Sequence, residues 1–448
     1  MTRGNPTFEC TACGQRSSKW LGRCPGCGGW NTYEEVPEAL ARIADRHAAE
    51  PVGLAHAELT DVVRLRTGMP GFDRVLGGGV VPGSVTLLAG EPGVGKSTLL
   101  LQVAAAVARE LGRPVLYVSA EESPRQVALR AERLGCREAN VALLPESTVE
   151  SAVAVARRER PSLVIVDSVQ AMLSERVPAV LGTVTQVREV AWQLADLAKH
   201  DGPPVVLVGH VTKEGLVAGP KSLEHLVDVV LDFAGSVGHP HRILRASKNR
   251  FGPALELALF AMGESGLVEV TNPSAALLSD RRPGAPGSAV AAILEGTTPL
   301  LVEVQALVSR STLVNPRRVA QGVDGGRMAL LLAVLEKRAG LRLGDRDVFL
   351  NVVGGVTVDE PALDLAAAAA IVSSSRERAL PADLVLFGEI GLLGEVRGVG
   401  RSEERLREAQ ALGFKRCAAP ASTTLAGPPG LEVVPVGRVD ELEGLLSV

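Results

Sequence analysis

The sequence predicts an α/β protein whose main domain is a parallel sheet covered by helices, preceded by a small metal-binding knuckle. Three observations carry that expectation. Strand-like aliphatic runs alternate with amphipathic helical stretches between Arg66 and about Thr271, the pattern of consecutive βαβ units. A glycine-rich loop at 90–98 lies between one such run and the helix after it. Four of the six cysteines fall in the first 27 residues as two C-x2-C pairs.

Taken in order, residues 1–35 are rich in glycine and cysteine and form the knuckle, a zinc finger. Residues 36–65, with Pro37 and Pro51, read as a linker. The main domain is expected over 66–275, with strands at 85–89, 115–119, 163–167 and 205–209 and helices at 97–110, 124–134 and 184–200. Shorter turns between 226–233, 242–247 and 255–261 predict antiparallel strands at its end. Pro273, Pro283, Pro286, Gly284 and Gly287 crowd the segment 272–288, which marks a domain boundary. A second α/β domain follows over 286–448, with strands at 289–293, 302–308 and 348–353 and helices at 329–339, 363–375 and 403–412.

Composition sets limits on function. The 448 residues are 46% hydrophobic and 22% charged, which excludes extensive disorder. Aromatics are only 3%, so the core must be aliphatic. With 47 basic and 51 acidic residues and a formal charge of -4, any nucleic-acid site must be a local basic surface. The longest apolar run, 365–372, is far short of the roughly 20 residues that span a bilayer. The N-terminus has no apolar signal region, so a cytoplasmic protein is expected, and there clustered cysteines favour metal over disulfides.

The loop Gly90-Glu91-Pro92-Gly93-Val94-Gly95-Lys96-Ser97-Thr98 is a full G-x-x-x-x-G-K-[ST] motif after a strand and opening a helix, the setting a phosphate-binding loop requires. Its N–H groups cradle phosphates, Lys96 reaches the β- and γ-phosphates of ATP, and the Ser97 hydroxyl ligates Mg²⁺. The run 163–166 ends in Asp167, the expected second metal carboxylate. Glu121, at the end of the strand 115–119, is the candidate for positioning the attacking water; Glu122 and a plain helix-start charge are the alternatives. Cys10, Cys13, Cys24 and Cys27 supply four thiolates for a tetrahedral Zn²⁺ site, although the ten residues between the pairs are fewer than in the commonest zinc ribbons.

The four cysteines, the loop 90–98, the string Lys248-Asn249-Arg250-Phe251-Gly252, and Gly388-Glu389-Ile390 with Gly394-Glu395-Val396 together resemble the bacterial RadA (Sms) DNA-repair family over essentially the whole chain. The resemblance implies a RecA-like P-loop ATPase core forming a hexameric ring, with a C-terminal Lon-protease-like domain. It further implies ATP-driven branch migration on single-stranded and branched DNA beside the RecA recombinase. Lys248 and Arg250 alternate at a strand end and are expected to reach a neighbouring subunit's γ-phosphate. Lys213 and Lys221, in a loop after the strand 205–209, are candidate phosphate contacts for DNA, and the loop 172–185 is another candidate. His210 is either a nucleotide sensor or an ordinary satisfied histidine. In the C-terminal domain Ala362 occupies the position of the protease serine and Glu403 that of its lysine, so neither nucleophile nor base is expected. Arg310, Arg317, Arg318 and Arg327 are either a basic DNA surface or a solvated face. An ATP-switched scaffold and an ATP-dependent protease are the rival functions.

Overall fold

The computed structural model describes residues 7–11, 15–17, 19–36, 63–210, 223–235, 241–254, 256–423 and 427–447. It divides into two compact units, Met1–Asp61 and Val62–Val448. Most of the expected linker, 37–62, lies outside the described residues.

The first unit is a three-stranded antiparallel sheet, with β1 (Thr7–Cys10) between β2 (Arg16–Ser17) and β3 (Tyr33–Val36). Among its described residues Cys10, Cys24 and Tyr33 are buried, with Phe8 and Leu21 packed on them. Apolar burial on that scale contributes little to a fold, which leaves the thiolates a structural part.

The second unit begins with a nine-stranded sheet. Its parallel part comprises β4 (Val85–Gly90), β5 (Val115–Ser119), β6 (Val141–Leu144), β7 (Leu163–Asp167), β8 (Val205–His210) and β9 (Val229–Ala234). The antiparallel strands β10 (His241–Asn249), β11 (Leu257–Gly263) and β12 (Gly266–Glu269) extend it, in the order β12-β11-β10-β9-β4-β8-β7-β5-β6. Every residue of β4 is buried, as a central strand covered on both faces requires. Helices α1 (Pro70–Val75), α2 (Lys96–Leu111), α3 (Pro124–Arg133), α4 (Val149–Glu159) and α5 (Val184–Asp201) accompany this sheet. The pair β6 and α4 has no counterpart in the sequence reading. β6 is an edge strand only partly buried, and alanines at 152 and 156 on the buried face of α4 blunt its helical contrast.

The C-terminal sheet has seven strands: β13 (Ser288–Glu295), β14 (Thr298–Arg310), β15 (Arg318–Gln321), β16 (Arg346–Val352), β17 (Leu384–Leu386), β20 (Arg416–Pro420) and β21 (Glu432–Val436), in the order β15-β16-β14-β13-β17-β20-β21, and the hairpin of β18 (Glu389–Ile390) and β19 (Val396–Arg397) stands apart from it. Helix α6 (Pro273–Leu277) precedes this sheet; α7 (Gly325–Arg338), α8 (Asp364–Arg376) and α9 (Ser402–Ala411) follow within it. α8 is buried continuously from Asp364 to Ser373, which explains an apolar run with no polar face.

The segment 272–288 is more than a spacer. Asn272 Oδ1 accepts the Ala275 N–H at 2.9 Å and caps α6, and Leu277 enters an apolar cluster shared by Ile243, Leu257, Leu259, Val302 and Val304. One core therefore runs from β10 and β11 into the C-terminal sheet. Polar contacts reinforce it: Arg245 Nη2 lies 2.7 Å from Glu295 Oε1, and the Thr297 hydroxyl donates to Glu256.

Candidate nucleotide and metal sites

The C-terminal ends of β4, β5, β7 and β8 meet at one edge of the large sheet. Gly90 is in register with His210, and Ser119 with Asp167. Gly90 is required there, since a Cβ would stand 2.3 Å from the Phe233 carbonyl oxygen. Gly95 caps α2 at φ 111, a left-handed conformation that costs other residues strain. These two glycines turn the backbone so that the first N–H groups of α2 are left open, as phosphate binding needs.

Lys96 is 4% exposed. Its Nζ donates to the carbonyls of Gly90 and Glu91 at 2.8 and 3.0 Å and lies 3.2 Å from His210 Nδ1. Burial pulls this ammonium below its ordinary pKa, opposed by the carboxylates of Asp167 and Glu121. With Lys96 donating, His210 Nδ1 accepts, so the ring proton sits on Nε2, 3.3 Å from Glu121 Oε1. The same carboxylate accepts the Ser168 hydroxyl. The His210 bond first, and the Ser168 bond after it, hold Glu121 below the usual carboxylate range despite partial burial. Glu122 faces elsewhere and pairs with Arg130 at 2.6 Å.

Asp167 is buried, and its Oδ2 accepts the Tyr117 hydroxyl at 2.6 Å. Among the described residues nothing hydrogen-bonds Oδ1. A carboxylate whose second oxygen takes no donor among the described residues, beside a phosphate loop whose second helical residue is Ser97, is the donor set a divalent cation shared by Asp167, Ser97 and a nucleotide would use.

Lys248 and Arg250 stand at the other edge of the sheet. β10 runs antiparallel to β9, and Arg250 binds Asp228, whose other carboxylate oxygen accepts the N–H of Val85 at 3.0 Å. They are thus at the start of β4, whose length separates them from Gly90 by roughly 16 Å. Lys248 Nζ donates to the carbonyls of Glu224 and Val227. Neither cation can serve the phosphate loop of its own chain. Lys213 and Lys221 lie outside the described residues.

In the N-terminal unit the sulfurs of Cys10, Cys24 and Cys27 lie within 4.8 Å of one another, and those of Cys10 and Cys27 are 3.7 Å apart. A tetrahedron with Zn–S bonds of 2.3 Å has edges of about 3.8 Å, so this spacing suits zinc. The turn after Cys24 is closed by the Gly28 N–H on the Cys24 carbonyl at 2.8 Å, with Gly28 at φ 74. Cys13, the fourth expected ligand, lies outside the described residues.

Comparison with known proteins agrees with both sites. The model of the AAA domain matches residues 48–215, and that of the rubredoxin metal binding domain matches residues 8–35. The chain is 48% identical to the DNA repair protein RadA of Bacillus subtilis over 453 residues, with 98% of each chain covered. It is 48% identical to RadA of Pseudomonas aeruginosa over 448 residues, again with 98% of each covered. Against RadA of Escherichia coli the identity is 46% over 446 residues, with 97% of this chain and 96% of that one covered. The chain belongs to the RadA family of DNA repair proteins.

As a RadA family member it carries an ATPase domain and a zinc-ribbon module. In its C-terminal domain, Ala362 is fully buried and Glu403 is exposed and paired with Arg407. The fully buried Arg405 pairs with Glu360 and donates to the Ala292 carbonyl at 2.7 Å. Of the candidate basic surface, Arg327 is committed to the buried Asp364 and Arg318 donates to the Leu343 carbonyl, so two of the four arginines are held within the fold. Two features of the nucleotide site escaped the sequence reading: Ser168, and Tyr117, one of only two tyrosines in the chain. An aromatic hydroxyl in an aliphatic strand, two residues before its end, was the available signal.

Proposed function

We propose that this protein is a DNA-stimulated ATPase that works as a ring-shaped motor in homologous recombination, driving branch migration of DNA intermediates beside a RecA-type recombinase. The observation that carries the reading is the placement of Lys248 and Arg250 at the opposite edge of the sheet from Gly90–Thr98. Two cations so far from their own phosphate loop have a use when a second copy presents its nucleotide to that edge, and a ring of such head-to-tail contacts closes on itself. A hexamer is the ring the family resemblance implies. RadA is a DNA repair protein in the relatives named above, and this chain matches them end to end.

In this reading Lys96 releases the carbonyls of Gly90 and Glu91 and turns to the β- and γ-phosphates. Ser97 and Asp167 would hold a magnesium ion, which would supply charge neutralisation at the phosphates. Glu121, ionised and aimed by His210 and Ser168, orients the attacking water. The neighbour's Arg250 and Lys248 stabilise the charge that develops on the γ-phosphoryl group. His210 ends β8 and is followed in sequence by the segment in which Lys213 and Lys221 are the candidate DNA contacts, so DNA bound there would act on Glu121 through His210. Ala362 and the Glu360–Arg405 pair leave peptide hydrolysis without a nucleophile. ATPase rates with and without single-stranded DNA test the proposal: stimulation by DNA is expected, and an unchanged rate in an assembled ring would contradict a motor.

A further inference from the structure

We propose that Tyr117 is a positioning residue for the metal carboxylate, its hydroxyl holding Asp167 Oδ2 so that Oδ1 alone is presented to the divalent cation of the nucleotide complex. The proposal rests on the nucleotide site described above and adds to it the device that sets how the carboxylate binds metal. Tyr117 is 1% exposed in the middle of β5. β5 pairs directly with β7, with Val118 opposite Val166 and Ser119 opposite Asp167, and from there the phenol reaches Oδ2 at 2.6 Å. A buried tyrosine hydroxyl needs a partner, and this one takes a single oxygen of Asp167, the carboxylate read as the metal ligand beside Ser97.

The chemistry of the donor matters. A neutral hydroxyl fixes the carboxylate without cancelling its charge, whereas a guanidinium would compete with the metal. Arg130 is near enough for its field to act on both Tyr117 and Asp167, but Glu122 holds its Nη2 at 2.6 Å. With Oδ2 fixed by the phenol, Oδ1 is the oxygen Asp167 presents most readily, and bidentate binding is disfavoured. Mg²⁺ and Mn²⁺ accept that in a compact octahedral shell, while the larger Ca²⁺ gains from bidentate carboxylates. Tyr117 therefore tightens Mg²⁺ binding and selects against Ca²⁺.

The test is Mn²⁺ binding to the full-length protein with a non-hydrolysable ATP analogue, followed by electron paramagnetic resonance, with Ca²⁺ as competitor. Tyr117→Phe should weaken Mn²⁺ binding roughly tenfold, the lower range for loss of an outer-shell partner. Its affinity for the analogue without metal should be unchanged, and Ca²⁺ should compete better relative to Mn²⁺ than in the wild type. Asp167→Asn separates the two layers of the argument. If that variant binds Mn²⁺ as the wild type does, the metal-site reading fails; if it does not and Tyr117→Phe keeps wild-type affinity and selectivity, the role of Tyr117 is overturned. Should Tyr117→Phe not fold, 3-fluorotyrosine at position 117 gives a ¹⁹F resonance that should shift on Mg²⁺ addition in the wild-type background and not with Asp167→Asn. An unmoved resonance would equally overturn the proposal.

Discussion

Lys96, Glu121 and Glu122 show how one residue's neighbours decide its work. Lys96 is held by two carbonyls and His210, with no carboxylate bound to it, so it is poised for an anion. Lys96→Ala should abolish ATP hydrolysis while circular dichroism and zinc content stay those of the wild type; wild-type turnover would remove the phosphate-loop assignment. The two glutamates are adjacent in sequence and differ in partners. Glu121 is bonded by His210 and Ser168, whereas Glu122 is spent on Arg130. Glu121→Gln should therefore lower kcat by about 10² or more, the usual scale for loss of a positioned base, and leave ATP affinity intact, whereas Glu122→Gln should change kcat far less. A pH profile adds a sign. His210 is the largest influence lowering the Glu121 pKa, so the acid limb of kcat/KM should lie below the ordinary glutamate range in the wild type and move to higher pH in His210→Ala. An unmoved limb would detach His210 from the base. The sequence pointed to Glu121 but could not separate it from Glu122, because the choice depends on Arg130 arriving from α3, a contact no local pattern encodes.

Elements that carry a motif or a full alternation were legible, and those that depend on a partner element were not. β4, β7 and β8 are buried on both faces and read as unbroken aliphatic runs; β6, half exposed at the sheet edge, has no such run, and α4 hides its face behind alanines. The prolines and glycines of 272–288 suggested a boundary there, whereas the apolar cluster joining Ile243 and Leu259 to Val302 was invisible, because it joins β10 and β11 to a sheet formed much later in the chain. In the C-terminal sheet region the sequence singled out Ala362, but the buried ion pair close to it in the chain was not legible. The Arg405 guanidinium, buried at 0% exposure against a partly exposed Glu360, is structural, and removing it leaves the Glu360 carboxylate and the Ala292 carbonyl without this donor. Arg405→Met should lower the melting temperature clearly while the ATPase rate of the folded protein persists; an unchanged melting temperature would show the pair to be dispensable. The metal module gives a parallel outcome. Cys24→Ala should lose bound zinc and expose residues 1–35 to proteolysis, since so little apolar surface remains to hold them, and metal retained at wild-type level would refute the thiolate site.

For the whole molecule, β10 links what the separate sites do. Its second residue, Arg242, donates from Nε to the Val94 carbonyl of the phosphate loop at 3.0 Å, Arg245 further along binds Glu295 of the C-terminal sheet, and Arg250 follows at its far end. One strand thus touches the chain's own nucleotide loop, the C-terminal sheet region and the edge proposed to meet a neighbour. The central claim is that Arg250 acts across that edge, and subunit mixing tests it most directly. Arg250→Ala should bind ATP, because Lys96 and Ser97 are untouched, and hydrolyse it slowly; Lys96→Ala should not hydrolyse it at all. In mixed rings some interfaces pair an intact phosphate loop from one subunit with an intact Arg250 from the next, so combining the two inactive proteins should restore ATPase activity that rises with protein concentration. If labelled subunits are seen to exchange and no activity returns, Arg250 does not act in trans, and the ring-motor account is contradicted.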